Sequence, residues 1–249
     1  MKKHIPSALF VLLCTSLTAT AQEIMVFEMK DSTAHEFNVE DIRRIIFRSK
    51  EELPNDSIVY LSCPDDHHPH LIDLGLPSGT KWACCNVGAH KPEGSGGYYA
   101  WGEVEEKDDY EWETYQFVDY DTEECVYIAD DISGSEYDVA HVLWGGAWRM
   151  PSSDRFTELL EQCTVEWTRL NDVEGCLLTG PNGGTLFFPL AGGFLYNWLY
   201  YEGLDGYYWT SSFDAEKNDS AHFFYFRAVG WFEEISQRYL GYTVRAVCP

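Results

Sequence analysis

The chain has 249 residues, 45% hydrophobic and 16% aromatic, enough for one large domain with a small appendage. Its 41 acidic residues against 17 basic ones give a formal net charge of −24. That balance argues against nucleic acid, whose phosphates need Lys and Arg, and against an anionic membrane surface; it favours solubility and is compatible with a divalent cation such as calcium.

Residues 1–21 read as a signal peptide. Lys2 and Lys3 give a charged start, Ala8 to Leu17 a short apolar run, and Ala19-Thr20-Ala21 a small-x-small cleavage site before Gln22. The apolar run is too short to span a bilayer, and no later stretch is apolar enough for a membrane helix. The expected location is outside the cytoplasm: cell surface, periplasm or medium. Cys14 is an alternative lipidation site, although Leu13 stands where a small residue is usual.

Residues 22–48 read as a small β-rich module. Ile24 to Met29 and His35 to Val39 are strand-like around the turn Lys30-Asp31-Ser32-Thr33, and Ile45-Ile46-Phe47 is a third apolar run. So short a unit buries little core alone. Residues 49–70 read as a linker ending in Asp65-Asp66-His67-His68-Pro69-His70. Those carboxylates and imidazoles suit a transition metal, but the run is read as polar linker, and no metal site is assigned.

The main domain is expected over 71–249. Two segments look helical: Tyr137 to Leu143, with Val139, Ala140 and Leu143 on one face, and a helix after Pro151 that Ser152 or Ser153 can cap. Gly97 to Gly134 is a long acidic loop region rich in aromatics. It lacks the spacing of a helix-loop-helix calcium site and reads as a solvated face. From Leu177 to Val247, short β runs alternate with Gly, Asn and Asp turns.

Removing Cys14 with the leader leaves seven cysteines, an odd number, so one thiol stays unpaired or pairs between chains. The spacing does not fix connectivity. Catalytic signatures are missing: there is no Gly-x-Ser-x-Gly, Walker loop, His-Glu-x-x-His or Cys-x-x-Cys. The chain is therefore read as a non-enzyme. The functional signal is aromatic density, with 15 of the 39 residues from 194 to 232 aromatic. A strand buries alternate residues, so Tyr196, Trp198, Tyr200, Tyr225 and Trp231 cannot all face inward. Exposed Tyr and Trp suit a protein or glycan partner. The competing reading is a thick aromatic core in a structural or assembly component of the cell surface.

An ordered set of short motifs carries a family likeness. Asp73-Leu74-Gly75-Leu76-Pro77-Ser78-Gly79-Thr80-Lys81-Trp82-Ala83, Asn86-Val87-Gly88-Ala89, Tyr99-Ala100-Trp101-Gly102-Glu103 and Trp144-Gly145 to Pro151 come first. Asn182-Gly183-Gly184, Phe188-Pro189-Leu190-Ala191-Gly192, Tyr208-Trp209-Thr210-Ser211-Ser212 and Val244-Arg245-Ala246-Val247 follow. Over residues 71–248 this resembles the Fibrobacter succinogenes major paralogous domain family of Bacteroidota surface and secreted proteins.

The resemblance implies an α+β, C-type-lectin-like fold: two short helices, small antiparallel sheets, a long loop region, and first and last strands side by side. It makes Trp82, Trp101, Glu103, Trp148, Arg149, Pro151, Trp209 and Arg245 fold-defining, with a buried Glu–Arg pair among them. It also makes Cys85–Cys163 a candidate disulfide. The calcium loops of lectins of that fold are missing, so no cofactor is assigned. By regional analogy with the variable proteins of diversity-generating retroelements, the ligand residues would be Tyr208, Phe213, Asn218, His222, Tyr225, Arg227 and Trp231, beside the aromatic candidates Tyr196 and Trp198. A formylglycine-generating-like activity is a third reading that the late cysteines do not match.

Overall fold

A computed structural model describes residues 70–249 and, ahead of them, the backbone of strands β1 (Ile24–Glu28) and β2 (Ala34–Asn38). These two pair antiparallel, Ile24 opposite Asn38 and Glu28 opposite Ala34; the expected turn Lys30 to Thr33 between them lies outside the described residues. The chain divides into two units, 1–54 and 55–249. The leader, Cys14, the third apolar run and Asp65 to Pro69 lie outside the described residues.

The second unit is α+β and strand-rich. A small sheet joins its ends: β3 (Leu71–Ile72) and β4 (Lys81–Ala83) pair, and the last strand, β15 (Val247–Cys248), adds to the other side of β4. Arg245 ties this junction together. Its fully buried guanidinium donates to Asn86 Oδ1 (2.8 Å), Ala83 O and Cys84 O (both 3.2 Å) and Phe187 O (3.0 Å), and sits 4.6 Å from the Phe188 ring centroid. Burial lowers its pKa, and with the charge out of water these acceptors must supply the solvation.

A short hairpin, β5 (Val118–Asp119) and β6 (Glu124–Cys125), lies in the acidic loop region. Helix α1 spans Val139–Trp144, shifted from the expected range by its cap. The fully buried Asp138 accepts from Ala140 N (2.9 Å) and His141 N (3.1 Å), and also from Gly134 N and Met150 N, so the helix starts at Val139, two residues later than expected. Helix α2 (Ser153–Gln162) has Ser152 at its N-cap position, but that side chain makes no capping hydrogen bond. Phe156, Leu159 and Leu160 form its buried face.

The strand region starts earlier than expected. Strands β7 (Thr164–Leu170), β8 (Val173–Thr179) and β9 (Thr185–Pro189) form one antiparallel sheet. Asn171 and Asp172, at φ of 48° and 68°, turn the first hairpin, the left-handed pair that a tight hairpin requires. A β10 (Gly193–Leu195) and β11 (Trp198–Tyr200) hairpin follows. Strands β12 (Asp205–Phe213), β13 (Ser220–Arg227) and β14 (Gly230–Gln237) form the last sheet, with β13 in the middle.

Three of the expected fold tryptophans, Trp101, Trp148 and Trp209, share one buried cluster, while Trp82 lies in a second with Phe156, Phe188, Tyr208 and Phe224. Pro151 is buried. The expected Glu–Arg pair is replaced. Glu103, 7% exposed, pairs with Lys107 (2.8 Å) and accepts from Gln116 N, while half-buried Arg149 exchanges backbone bonds with Val247. Cys85 and Cys163 are not joined. They lie in different clusters, Cys85 Sγ reaches Ala89 O (3.8 Å), and Cys163 keeps a thiol whose pKa burial pushes up to about 11.

Candidate ligand-binding face

The β12–β14 sheet sets the site. Residues opposite one another across an antiparallel sheet share a side, and neighbours along a strand alternate. Gly206, Phe226 and Trp231 form one cross-strand row, and Tyr208, Phe224 and Glu233 another, both on one side. Tyr207, Tyr225 and Phe232 form a row on the other side.

Helix α2 and the β7–β9 sheet cover the β12 and β13 rings of the first side, leaving Trp231 half-buried and Glu233 exposed on β14. Phe156 stacks on Phe224 with centroids 4.9 Å apart, and Phe188 stacks on Phe226 at 5.2 Å. Tyr208 is fully buried and its hydroxyl donates to Pro189 O (2.6 Å). Tyr208 is thus a core residue and not a ligand contact, as its place beside Trp209 in the strand hid. Trp231 packs on this side against Phe224 (6.3 Å), and His222 Nδ1 lies 3.1 Å from Glu233 Oε1.

The second side stays partly open. Tyr242, Tyr207, Tyr225 and Phe232 form a continuous stack with successive centroids 5.1, 5.9 and 5.1 Å apart and interplanar angles of 21–24°. Tyr200 packs edge-on to Tyr207 (5.4 Å), and Trp198 leans on Tyr200 (6.1 Å). Tyr207 donates to Asp205 Oδ2 (3.1 Å), which lies 3.5 Å from Arg227 Nη2, and the Arg227 guanidinium sits 5.6 Å from the Tyr225 ring centroid. Burial, then the Asp205 charge, holds the Tyr207 phenol well above its usual range. Burial and the neighbouring Tyr242 do the same for Tyr200. Tyr200 donates to Tyr242 Oη (3.2 Å), which is 3.1 Å from Ser236 Oγ.

Around this stack, large apolar groups face solvent: Trp198 is 66% exposed, Tyr201 55%, Leu204 64%, Val229 79% and Phe232 37%. The register sets Leu204 and Val229 in turns at the same end of the sheet, since Asp205 follows Leu204 and pairs with Arg227, and Arg227 pairs with Gly230 beyond Val229; Phe232 lies opposite Tyr225. Two of the exposed tyrosines carry strained backbone. Tyr196 and Tyr201 have φ of 54° and 56°, a left-handed conformation that costs a bulky residue about 1–2 kcal/mol. Backbone bonds hold both: Tyr196 exchanges N–H···O bonds with Tyr110, and Tyr201 O accepts from Leu204 N and Asp205 N.

Of the nine expected ligand residues, the structure brings Trp198, Tyr225 and Arg227 together. Tyr196 stands at the tip of the β10–β11 hairpin, 55% exposed. Phe213 lies elsewhere, half-buried between Trp101 (6.1 Å) and Tyr127 (5.5 Å), and Asn218 is tied to Cys125 O. Tyr201, Tyr207 and Phe232, from the same aromatic stretch, and Asp205 join the face without being among the nine. The signal that finds Tyr207 and Phe232 is the pairing register, which places them on either side of Tyr225.

A shallow cavity of about 190 Å³ lies apart from this face at the start of α2, with Asp131, Ser133, Arg149, Ser152 and Arg155 in its wall. Among the described residues no group of three or more His, Cys, Asp or Glu is placed to hold a metal, and no helix is long and apolar enough to cross a membrane. No family model, curated protein or solved structure matches the chain.

Proposed function

We propose that this is an exported, non-enzymatic binding protein of C-type-lectin-like fold, from the Fibrobacter succinogenes major paralogous domain family, that receives a protein or glycan ligand on the open side of the β12–β14 sheet. The carrying observation is a stacked aromatic row that ends in solvent at Phe232, with exposed Trp198 and Tyr201 packed on its neighbour Tyr200 and exposed Leu204 and Val229 in turns at one end of the sheet. Contiguous exposed apolar surface marks interaction sites, because leaving it in water is unfavourable.

The strained tyrosines support the same reading. Neither Tyr196 nor Tyr201 fills a core, and glycine or asparagine would adopt their backbone with less strain. Strain kept at exposed side chains is a mark of functional sites. The polar groups on the face orient rather than react: Arg227 and Asp205 neutralise each other, and the Tyr207 phenol is held in its neutral form.

The test is a glycan-array and protein-panel screen of the full chain against the variant Trp198→Ala. Loss of a specific hit with an unchanged melting temperature supports this face. A hit that the variant retains moves the site elsewhere, and no hit on either panel contradicts the binding role.

A further inference from the structure

We propose that the partner is a protein that inserts an apolar side chain against Leu204, Val229 and Phe232 and surrounds it with Lys or Arg. This inference rests on the binding role of the open sheet face and names the chemistry of its ligand.

The geometry of the rings comes first. A sugar ring binds aromatics through its flat C–H face and needs an open ring face to lie on. Here Tyr207 and Tyr225 are each stacked between two neighbours, so their faces are occupied and they present edges and phenolic tips. Edges and hydroxyl tips combine apolar contact with hydrogen bonding at low cost in side-chain freedom, which suits a protein surface.

The aliphatic groups point the same way. Leu204 and Val229 are 64% and 79% exposed and sit in the two turns at the same end of the sheet. A branched alkyl group offers no flat face and no hydrogen bond to a polyhydroxylated sugar. Against another apolar side chain it removes area from water on both partners.

Charge sets the rim. Of the seven acidic and two basic side chains in residues 196–237, Asp214, Glu216, Lys217 and Asp219 lie at the other end of the sheet, and Arg227, the remaining cation, is already paired with Asp205. Exposed Glu202 follows Tyr201, and exposed Glu234 lies two residues from Phe232 on the same side of β14. A complementary surface carries cations around an apolar centre, and its association weakens with salt.

The experiment selects a phage-displayed random peptide library on the immobilised full chain, alongside an array of neutral glycans. The double variant Leu204→Ser/Val229→Ser is the control, with Trp198→Ala beside it; the two turn positions are exposed and fill no core. The expected result is peptides that combine Leu, Phe or Trp with several Lys or Arg. Their affinity falls about tenfold or more on the double variant and falls again as salt is raised. Enriched peptides without basic residues, or binding indifferent to the double variant, overturn the inference. Neutral glycans retained by the native chain and the double variant but lost on Trp198→Ala overturn the protein partner and leave the binding role standing. No retention on either panel overturns both.

Discussion

The two sides of the β12–β14 sheet are built from the same kind of sequence and do different work. Tyr208, Phe224 and Phe226 alternate with Tyr207, Phe223 and Tyr225 along the same strands. On one side Phe156 and Phe188 cover the rings, and the result is core. On the other the cover stops at Tyr200 and Tyr242, and the row ends in solvent at Phe232. Aromatic content does not separate core from surface here; what packs over each row does.

Truncating one ring on each side is the most severe test of that contrast. Phe224→Ala empties a fully buried site and is expected to cost about 3–5 kcal/mol in urea denaturation. Tyr225→Ala, one residue along, loses ring stacking in a half-open row and is expected to cost about 1 kcal/mol. Equal costs would show that the open side is core as well.

A second comparison stays on the open side. Phe232→Ala is expected to leave stability within about 0.5 kcal/mol of the native chain and to weaken ligand binding by about tenfold or more, read by titration against any hit from the screens. A smaller shift tests the strained backbone. Tyr201→Asn relieves the left-handed strain and is expected to raise stability by up to about 1 kcal/mol while weakening the ligand. A loss of stability on that change would mean that Tyr201 packs as a structural residue.

The smallest expected effect concerns alkaline pH. The folded pKa of Tyr200 is raised above its unfolded value, so its contribution to stability is fully present below pH about 10 and is lost as pH rises through the folded value. Tyr200→Phe removes that dependence, and denaturation midpoints measured across alkaline pH should fall less steeply than in the native chain. The same slope in both would show that the phenol is not protected by its neighbours.

Much of this was legible in the sequence. Helix α2 follows from Phe156, Leu159 and Leu160 at helical spacing after Pro151, and the strands from Leu177 onward follow from their turn residues. The late start of α1 was not legible, because it depends on Asp138 reaching Gly134 and Met150 as well as its own helix. Strand β7 was signalled by Thr164, Val165 and the Asn171-Asp172 turn, a cue lost between the helix and the aromatic region. For the site, period-two alternation shows that some aromatics must be exposed, but not which. That depends on register and on which side α2 covers, so Tyr208 and Trp231 fell on the covered side while Phe232 closes the open row.

The most direct measurement pairs melting temperature with ligand retention for Phe232→Ala and Trp198→Ala on the full chain. Unchanged melting with loss of the ligand in both variants is the expected result. Lowered melting in both, with the ligand retained at temperatures where they remain folded, would contradict a binding role for the open face and make its aromatics part of the core.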